Sequence, residues 1–433
     1  MERILRPEKV YVTEEVYNSS NCVERLGRMM SSIKPSDPPQ RVTDTQLNEI
    51  ARERGWESYG RWGTKEDPSD PDLVFTTAKF HTPQEREERR EKYPNLRFRD
   101  LLGYLCCSLR TDGSVEFKER TRGIICQSAW QLYGISGCAF MCDYCGFGGV
   151  NKIFLNIEEY LEHIEDWLAL DPKQMVYKWD NQTDVNIYEP EWGWTEALVR
   201  YFGQRKKPEG QNDKYFLIYT GKSANVNFLL DLPHNGHAII QWSTAARTQC
   251  TLIEKKTAPM EARIEAAAKC QEAGYIVRHR LSPIIPVKNW REENREMIDL
   301  IFKTHQPDVI SLCSFGWMNF TSMKSCMNLD LIDPQFVRAM EAMEPFLTER
   351  GYSSGGGHPI PHDARLIMLE FLVDEIRKRS PNCVISLCLE TPEMWSVLGK
   401  KIDQVPSNYV CNCGPYSAPG APLYERLVGT VAG

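Results

Sequence analysis

The stretch Gln131-Leu-Tyr-Gly-Ile135 runs through Ser136-Gly137 into Cys138-Ala-Phe-Met-Cys142-Asp-Tyr144-Cys145. A short apolar segment of strand character thus delivers three cysteines, spaced C-x3-C-x2-C, onto one loop. Three thiolates so placed can wrap one corner of a [4Fe–4S] cubane. Each binds a different iron, and the fourth iron stays open to an exogenous ligand. The competing readings are a zinc site or three unrelated core cysteines. Structural zinc takes four ligands, and no fourth Cys or His lies near in the sequence. Gly146, Gly148 and Gly149 follow the triplet and suit a backbone that closes on a bound group, or simply a turn into the next element.

Outward from this loop the texture is βαβ. Gln131–Ile135, Gln174–Trp179, Tyr215–Tyr219, Ala238–Trp242, Ile276–Leu281 and Val309–Leu312 read as buried strands. Ile157, Tyr160, Leu161, Ile164 and Leu168 mark one helical face, opened by Asn156 with Glu159 at capping-box spacing. Pro259 to Ala273 reads as a helix that stops at Gly274. Six strands alternating with helices predict parallel pairing and an α/β fold, a partial or full (β/α) barrel with its chemistry at the strand C-termini. Residues 120–320 form this core. Residues 1–95 read as an N-terminal appendage, with proline- and aspartate-rich loops at 34–39 and 66–72 and a solvated helix over Glu85–Lys92. Residues 321–433 read as a C-terminal extension that completes the site. It contains Gly355-Gly356-Gly357-His358, a helix from about Asp363 to Arg379, a last strand Cys383–Leu389, and a tail with Cys411-Asn412-Cys413.

The 433 residues carry 52 basic and 59 acidic side chains, a formal charge of −7, with 42% hydrophobic and 26% charged residues. That is a globular composition and not a disordered one. The acidic balance disfavours a strongly electrostatic nucleic-acid binder. No apolar run approaches the ~18 residues of a membrane span. The opening Met1-Glu2-Arg3-Ile4-Leu5-Arg6-Pro7 lacks the apolar stretch of a signal peptide, so a cytoplasmic protein is expected. Fifteen cysteines then point to metal ligands, reactive thiols or small core residues before disulfides. No P-loop and no helix-opening G-x-G-x-x-G supports nucleotide hydrolysis or NAD chemistry. The histidines, among them His234, His279, His358 and His362, show no ligand spacing.

The triplet, with Tyr144 before its last cysteine, resembles the signature of the radical S-adenosylmethionine (SAM) superfamily. Lys222-Ser-Ala-Asn-Val-Asn-Phe-Leu229-Leu230-Asp231-Leu-Pro-His234-Asn235-Gly236 is similar to a stretch of spore photoproduct lyases. The likeness continues in register through Trp242-Ser243, Arg247, Glu254, Thr257, Arg263 and Ala273-Gly274-Tyr275 to Pro283-Ile284 and Trp290. It spans roughly residues 130 to 300, with an echo around Leu387–Trp395. The resemblance implies that Cys138, Cys142 and Cys145 hold the cluster and that the open iron chelates SAM. It implies SAM contacts at Lys222 and Ser243, and at Thr183-Asp184, which stand at a Ser-Asp pair of the lyases; Tyr144 belongs to the same cofactor shell. Reductive cleavage of SAM then gives a 5′-deoxyadenosyl radical that abstracts hydrogen from an organic substrate, a small metabolite or a nucleobase, in a lyase-like reaction. A reductant such as flavodoxin or ferredoxin is the expected partner; nucleic acid is a less favoured one, and no membrane is expected. The departure is Asn181, where the lyases carry a hydrogen-donating cysteine. Two alternatives remain at this point: transfer of an aminocarboxypropyl group from SAM, and a non-catalytic iron–sulfur electron-transfer protein. Cys313, Cys326 and Cys388 read as core residues or as participants on the active-site rim. Cys411 and Cys413 read as a metal pair with Cys106-Cys107 or Cys383, as donors of hydrogen or electrons, or as an exposed tail.

Overall fold

The computed structural model describes residues 4–56, 70–96, 107–110, 124–180, 183–206, 212–315, 317–349 and 358–429. Its main sheet holds seven parallel strands: β1 (Ala129–Leu132), β2 (Val176–Trp179), β3 (Tyr215–Gly221), β4 (Ala238–Thr244), β5 (Ile276–Leu281), β6 (Val309–Leu312) and β7 (Val384–Leu387). They pair in sequence order, and Cys107–Arg110 adds an antiparallel edge beside β1. β7 and β1 are not strand partners. One bridge, Ile125 N–H to Glu390 C=O at 2.8 Å, links the segments beside them. The barrel is therefore partial.

Alternation along each strand sorts helix-facing from lumen-facing side chains. On β2 the Tyr177 hydroxyl donates to Leu168 C=O at 3.4 Å, and the Trp179 indole N–H to Thr195 Oγ1 at 3.2 Å, on the helix side. Val176 faces inward with Leu217 and Ile239, and all three pack with Ala418. The tail thus plugs the lumen. Pro415 C=O accepts from Met175 and Val176 N–H, at 2.8 and 3.1 Å. Buried Arg278 donates to Asn412 C=O and Ser417 C=O, at 2.8 and 2.7 Å, and pairs with Asp308. The exposed-tail reading of Cys411–Cys413 is corrected: Cys411 is buried, because the turns of a proline-rich segment close the floor of an otherwise open barrel.

Several boundaries differ from expectation. The 157–168 face is two short helices, Ile157–Glu162 and Ile164–Leu170. The expected cap at Asn156 is not made, since its amide is taken by the Ala78 backbone and Glu159. Ile135–Ser136 leaves the main sheet for a second one. Pro83–Lys92 is the solvated helix, opened by a Thr82–Glu85 capping box and burying no residue. Helices Met260–Glu272 and His362–Arg379 lie where expected. Of the glycine-rich loop only His358 falls within the described residues.

The N-terminal segment contributes strands Val10–Thr13, Gln40–Val42 and Asp72–Thr76 to that second, five-stranded sheet. Asp72–Thr76 pairs in parallel with Val150–Phe154, which directly follows the cysteine loop. Trp192 joins the two sheets: its indole donates to Phe154 C=O at 2.8 Å, and its ring stacks on Trp179 of β2 at 5.7 Å. One end of the cysteine loop is thereby fixed to a rigid body on either side. No helix among the described residues is long and apolar enough to cross a membrane.

Candidate active site

The loop enters through Gly137, whose φ of 92° suits glycine and whose missing Cβ would lie 2.2 Å from Val150 C=O. Cys138 N–H closes on Phe147 C=O at 2.7 Å, so the three cysteines lie on one tight excursion. Met141–Cys142 pairs antiparallel with Glu254–Lys255, and Asp143 N–H reaches Ile253 C=O at 2.9 Å. Lys255 Nζ reinforces this with Asp143 at 2.7 Å. All three thiols are half-buried, and Phe147 N–H donates to Cys145 Sγ at 3.5 Å. Burial pushes the Cys138 thiol up to about 12 and raises Cys142 and Cys145 too. Metal binding at these sulfurs would therefore displace protons. Among the described residues no trio of side chains is gathered as ligands of a single ion would be.

Behind the loop lies a fully buried carboxylate. Glu254 accepts from Tyr144 Oη at 2.6 Å, Arg263 Nη1 at 2.7 Å and Gln249 Nε2 at 2.9 Å, and lies 3.8 Å from Lys222 Nζ. Burial raises its pKa, but Lys222 and Arg263 outweigh that and hold it below the usual carboxylate range. Lys222 is depressed by burial and raised more strongly by Glu254 and the neighbouring Cys142 thiol. Arg263 donates further to Ser243 C=O, Ala258 C=O and Thr257 Oγ1, at 2.9, 2.8 and 2.7 Å. Two cations face one carboxylate, so the cysteine loop sits beside a surplus positive charge. Lys222 is the looser cation. It is the more distant from Glu254, and its side chain is 13% exposed where Arg263 is fully buried.

The sequence-derived site residues gather around this loop. Asp184 Oδ2 accepts from the N–H groups of Lys222 and Ser223, at 2.5 and 2.8 Å, and its Oδ1 from Asn186 N–H at 3.2 Å. The carboxylate thereby ties the loop after β2 to the turn after β3. The turn needs Gly221, with φ 62°, because a Cβ there would lie 2.8 Å from Asp184 Oδ2. Ser243, near the end of β4, lies on the opposite face from Trp242, whose indole donates to Ser223 C=O at 3.0 Å. The Thr183 hydroxyl is buried, and among the described residues it has no hydrogen-bond partner. Tyr144 is packed edge-on against Phe315 at 5.6 Å and reaches Glu254 through its hydroxyl. Asn181 lies outside the described residues, as does Cys106.

A family model described as spore photoproduct lyase matches residues 130–333. The spore photoproduct lyase of Clostridium acetobutylicum is 27% identical over 176 residues, 39% of this chain and 50% of that protein. That of Bacillus subtilis is 25% identical over 181 residues, 40% and 51% of the two chains. The chain thus spans about half the length of the curated relatives it matches. A spore photoproduct lyase variant solved with dinucleoside spore photoproduct superposes with a TM-score of 0.59 at 14% identity, covering 89% of this chain and 99% of that one. The fold is that of spore photoproduct lyase. A second variant, solved with bound AdoMet and dinucleoside spore photoproduct, gives a TM-score of 0.57 over the same coverage. The matched region holds the cysteine triplet and every residue of the Glu254 network, and it ends before β7 and the tail that plug the lyase-like barrel.

Other side chains came together that the sequence reading left apart. Glu254, Thr257 and Arg263 entered the resemblance without a role, and only a two-residue strand pairing reveals the clamp. Arg280 Nη2 donates to both Cys313 Sγ and Cys388 Sγ at 3.2 Å. Cys126, Cys411 and Cys413 line the same small cavity. Cys383 lies instead in the hydrophobic core cluster that also holds Leu372 and Ile376. His279 and His305 form a neutral pair on the helix side of β5, 2.7 Å apart between their Nε2 atoms.

Proposed function

We propose that this chain is a lyase-like radical-SAM enzyme. Cys138, Cys142 and Cys145 would hold a [4Fe–4S] cluster, and Lys222, Ser243, Thr183 and Asp184, with Tyr144, would form the SAM site beside it. The group bound there supplies reductive C–S cleavage and a 5′-deoxyadenosyl radical for hydrogen abstraction from an organic substrate. The observation that carries this reading is the Glu254 clamp. It fixes the three-cysteine loop while leaving Lys222 as a loosely held cation at the strand C-termini, where a carboxylate of SAM is met by a point charge. Thr183 adds a buried hydroxyl that lacks a partner among the described residues and fits a polar cofactor. Asp184 acts by holding the backbone that presents Lys222.

Bond cleavage or rearrangement of a small metabolite or a nucleobase follows, in a cytoplasmic setting, with electrons from a flavodoxin or ferredoxin. Nucleic acid is the less favoured substrate, given the net charge of −7. Product analysis after anaerobic reduction with SAM tests this. 5′-Deoxyadenosine and methionine are expected. 5′-Methylthioadenosine would establish aminocarboxypropyl transfer instead, and intact SAM would leave the electron-transfer reading.

A further inference from the structure

Lys256 has a φ of 62°, in the left-handed region where a side chain is strained and glycine is not. It stands at the corner that joins the two halves of the Glu254 clamp. Before the corner, Glu254 pairs with Cys142 and receives Tyr144, Arg263 and Gln249. After it, the Thr257 hydroxyl donates to Glu254 C=O at 2.5 Å and accepts from Arg263 Nη2 at 2.7 Å. Ala258 N–H then donates to Lys222 C=O at 3.0 Å. The direction the chain takes at residue 256 therefore sets how Glu254 meets Cys142 and how the backbone of Lys222 is held.

A glycine would turn this corner without strain. Lys256 instead carries its Nζ to 3.0 Å from Asp70 Oδ1, in a pair whose carboxylate is 6% exposed. Asp70 is itself anchored, because its Oδ2 accepts from Arg6 N–H at 2.7 Å and its backbone bridges to Pro7. Two residues on, Asp72 N–H donates to Gly149 C=O at 2.9 Å, and strand Asp72–Thr76 pairs with Val150–Phe154. Residues 70–76 thus grip the exit of the cysteine loop with their backbone and the corner of the clamp with one carboxylate. A side chain in the left-handed region persists where its surroundings hold it there. Asp70 lies outside the residues 130–333 that the family model matches.

We propose that Asp70 is a positioning residue of the cluster site: through Lys256 it holds the turn that brings Glu254 to Cys142 and Ala258 to Lys222. The N-terminal segment is then a working part of the site and not an appendage to it. The inference deepens the proposed function and rests on the cysteine loop being the cluster loop. Three substitutions separate the charge from the strain. Asp70→Asn removes the charge and keeps an acceptor for Arg6 N–H. Lys256→Ala loses the ion pair and keeps the strain of a side chain at φ 62°, whereas Lys256→Gly loses both.

The test is amide hydrogen exchange of the full chain, read at Asp143 N–H and Ala258 N–H, which bond to Ile253 C=O and Lys222 C=O. Both amides are expected to exchange about 3- to 10-fold faster in Asp70→Asn and in Lys256→Ala, and near the wild-type rate in Lys256→Gly. Tm is expected to change by less than about 1 °C in all three, because the pair is partly exposed and the chain is long. After anaerobic reconstitution, Asp70→Asn and Lys256→Ala are expected to give up iron to a chelator about 3- to 10-fold faster than the wild type, and Lys256→Gly is not. Wild-type exchange at both amides in Asp70→Asn overturns the proposal. Equal acceleration in Lys256→Ala and Lys256→Gly overturns it too, since the contact would then be a plain ion pair with no hold on the turn. The exchange rates decide the matter with or without iron, so a wild-type chain that takes up no iron refutes the cofactor reading alone.

Discussion

Glu254 and Lys222 lie 3.8 Å apart, yet their replacement has opposite consequences. Glu254→Gln removes the one negative charge that faces Lys222 and Arg263. Arg263 keeps three oxygen acceptors, Ser243 C=O, Ala258 C=O and Thr257 Oγ1, but both cations lose their counter-charge. Stripping one partner from a buried ion pair costs about 3–5 kcal/mol. With an unfolding entropy of about 2.1 cal/mol/K per residue over 433 residues, that lowers Tm by about 3–6 °C. Residue 254 is also the strand partner of Cys142, so cluster content falls with Tm. Lys222→Ala leaves Glu254 with Arg263, Tyr144 and Gln249, and Tm stays within about 1 °C. It removes a charge-assisted contact to SAM worth about 1.5–3 kcal/mol, a loss of about 10- to 150-fold in affinity. Calorimetric unfolding, iron analysis and equilibrium dialysis of SAM on anaerobically reconstituted protein read all three quantities. Full iron loading and an unchanged Tm in Glu254→Gln, or wild-type SAM affinity in Lys222→Ala, would refute this division of labour.

Burial lowers His305 from an ordinary 6.5 to about 4, and burial together with the neighbouring His305 holds His279 well below the usual imidazole range. A group whose folded pKa is depressed gives stability that is complete above the unfolded pKa and is lost as pH falls. His305 therefore costs up to about 3 kcal/mol across pH 6.5 to 4, and His305→Gln should flatten the acid limb of a Tm–pH profile; equal limbs would show that the pair does not titrate in this way. With Asn181 at the place of the lyases' hydrogen donor, clean multiple-turnover conversion of a spore-photoproduct dinucleotide to thymines is not expected. If conversion is slow and error-prone, Asn181→Cys should improve it, and efficient repair by the unmodified chain would contradict the expectation.

The barrel was legible because its strands are apolar runs of four to seven residues between helices, and the cysteine loop because metal ligation imposes a spacing. The second sheet was not legible. Its three N-terminal strands, of three to five residues, pair with one another, and only Asp72–Thr76 among them reaches Val150–Phe154, far off in sequence. The tail looked like surface because Gly414 and Pro415 signal turns, and nothing local says that the turns fill a lumen. Glu254 sat in the resemblance without a role, since its function comes from an antiparallel pair only two residues long.

The central claim is that one open iron, beside Lys222, receives SAM. Electron paramagnetic resonance of the dithionite-reduced, reconstituted protein tests it most directly, with spectra taken before and after addition of SAM. The account predicts a [4Fe–4S]⁺ signal that SAM shifts in the wild type, shifts only at much higher SAM concentration in Lys222→Ala, and that is lost when Cys142 is replaced by Ala. A wild-type cluster signal identical with and without saturating SAM would contradict it.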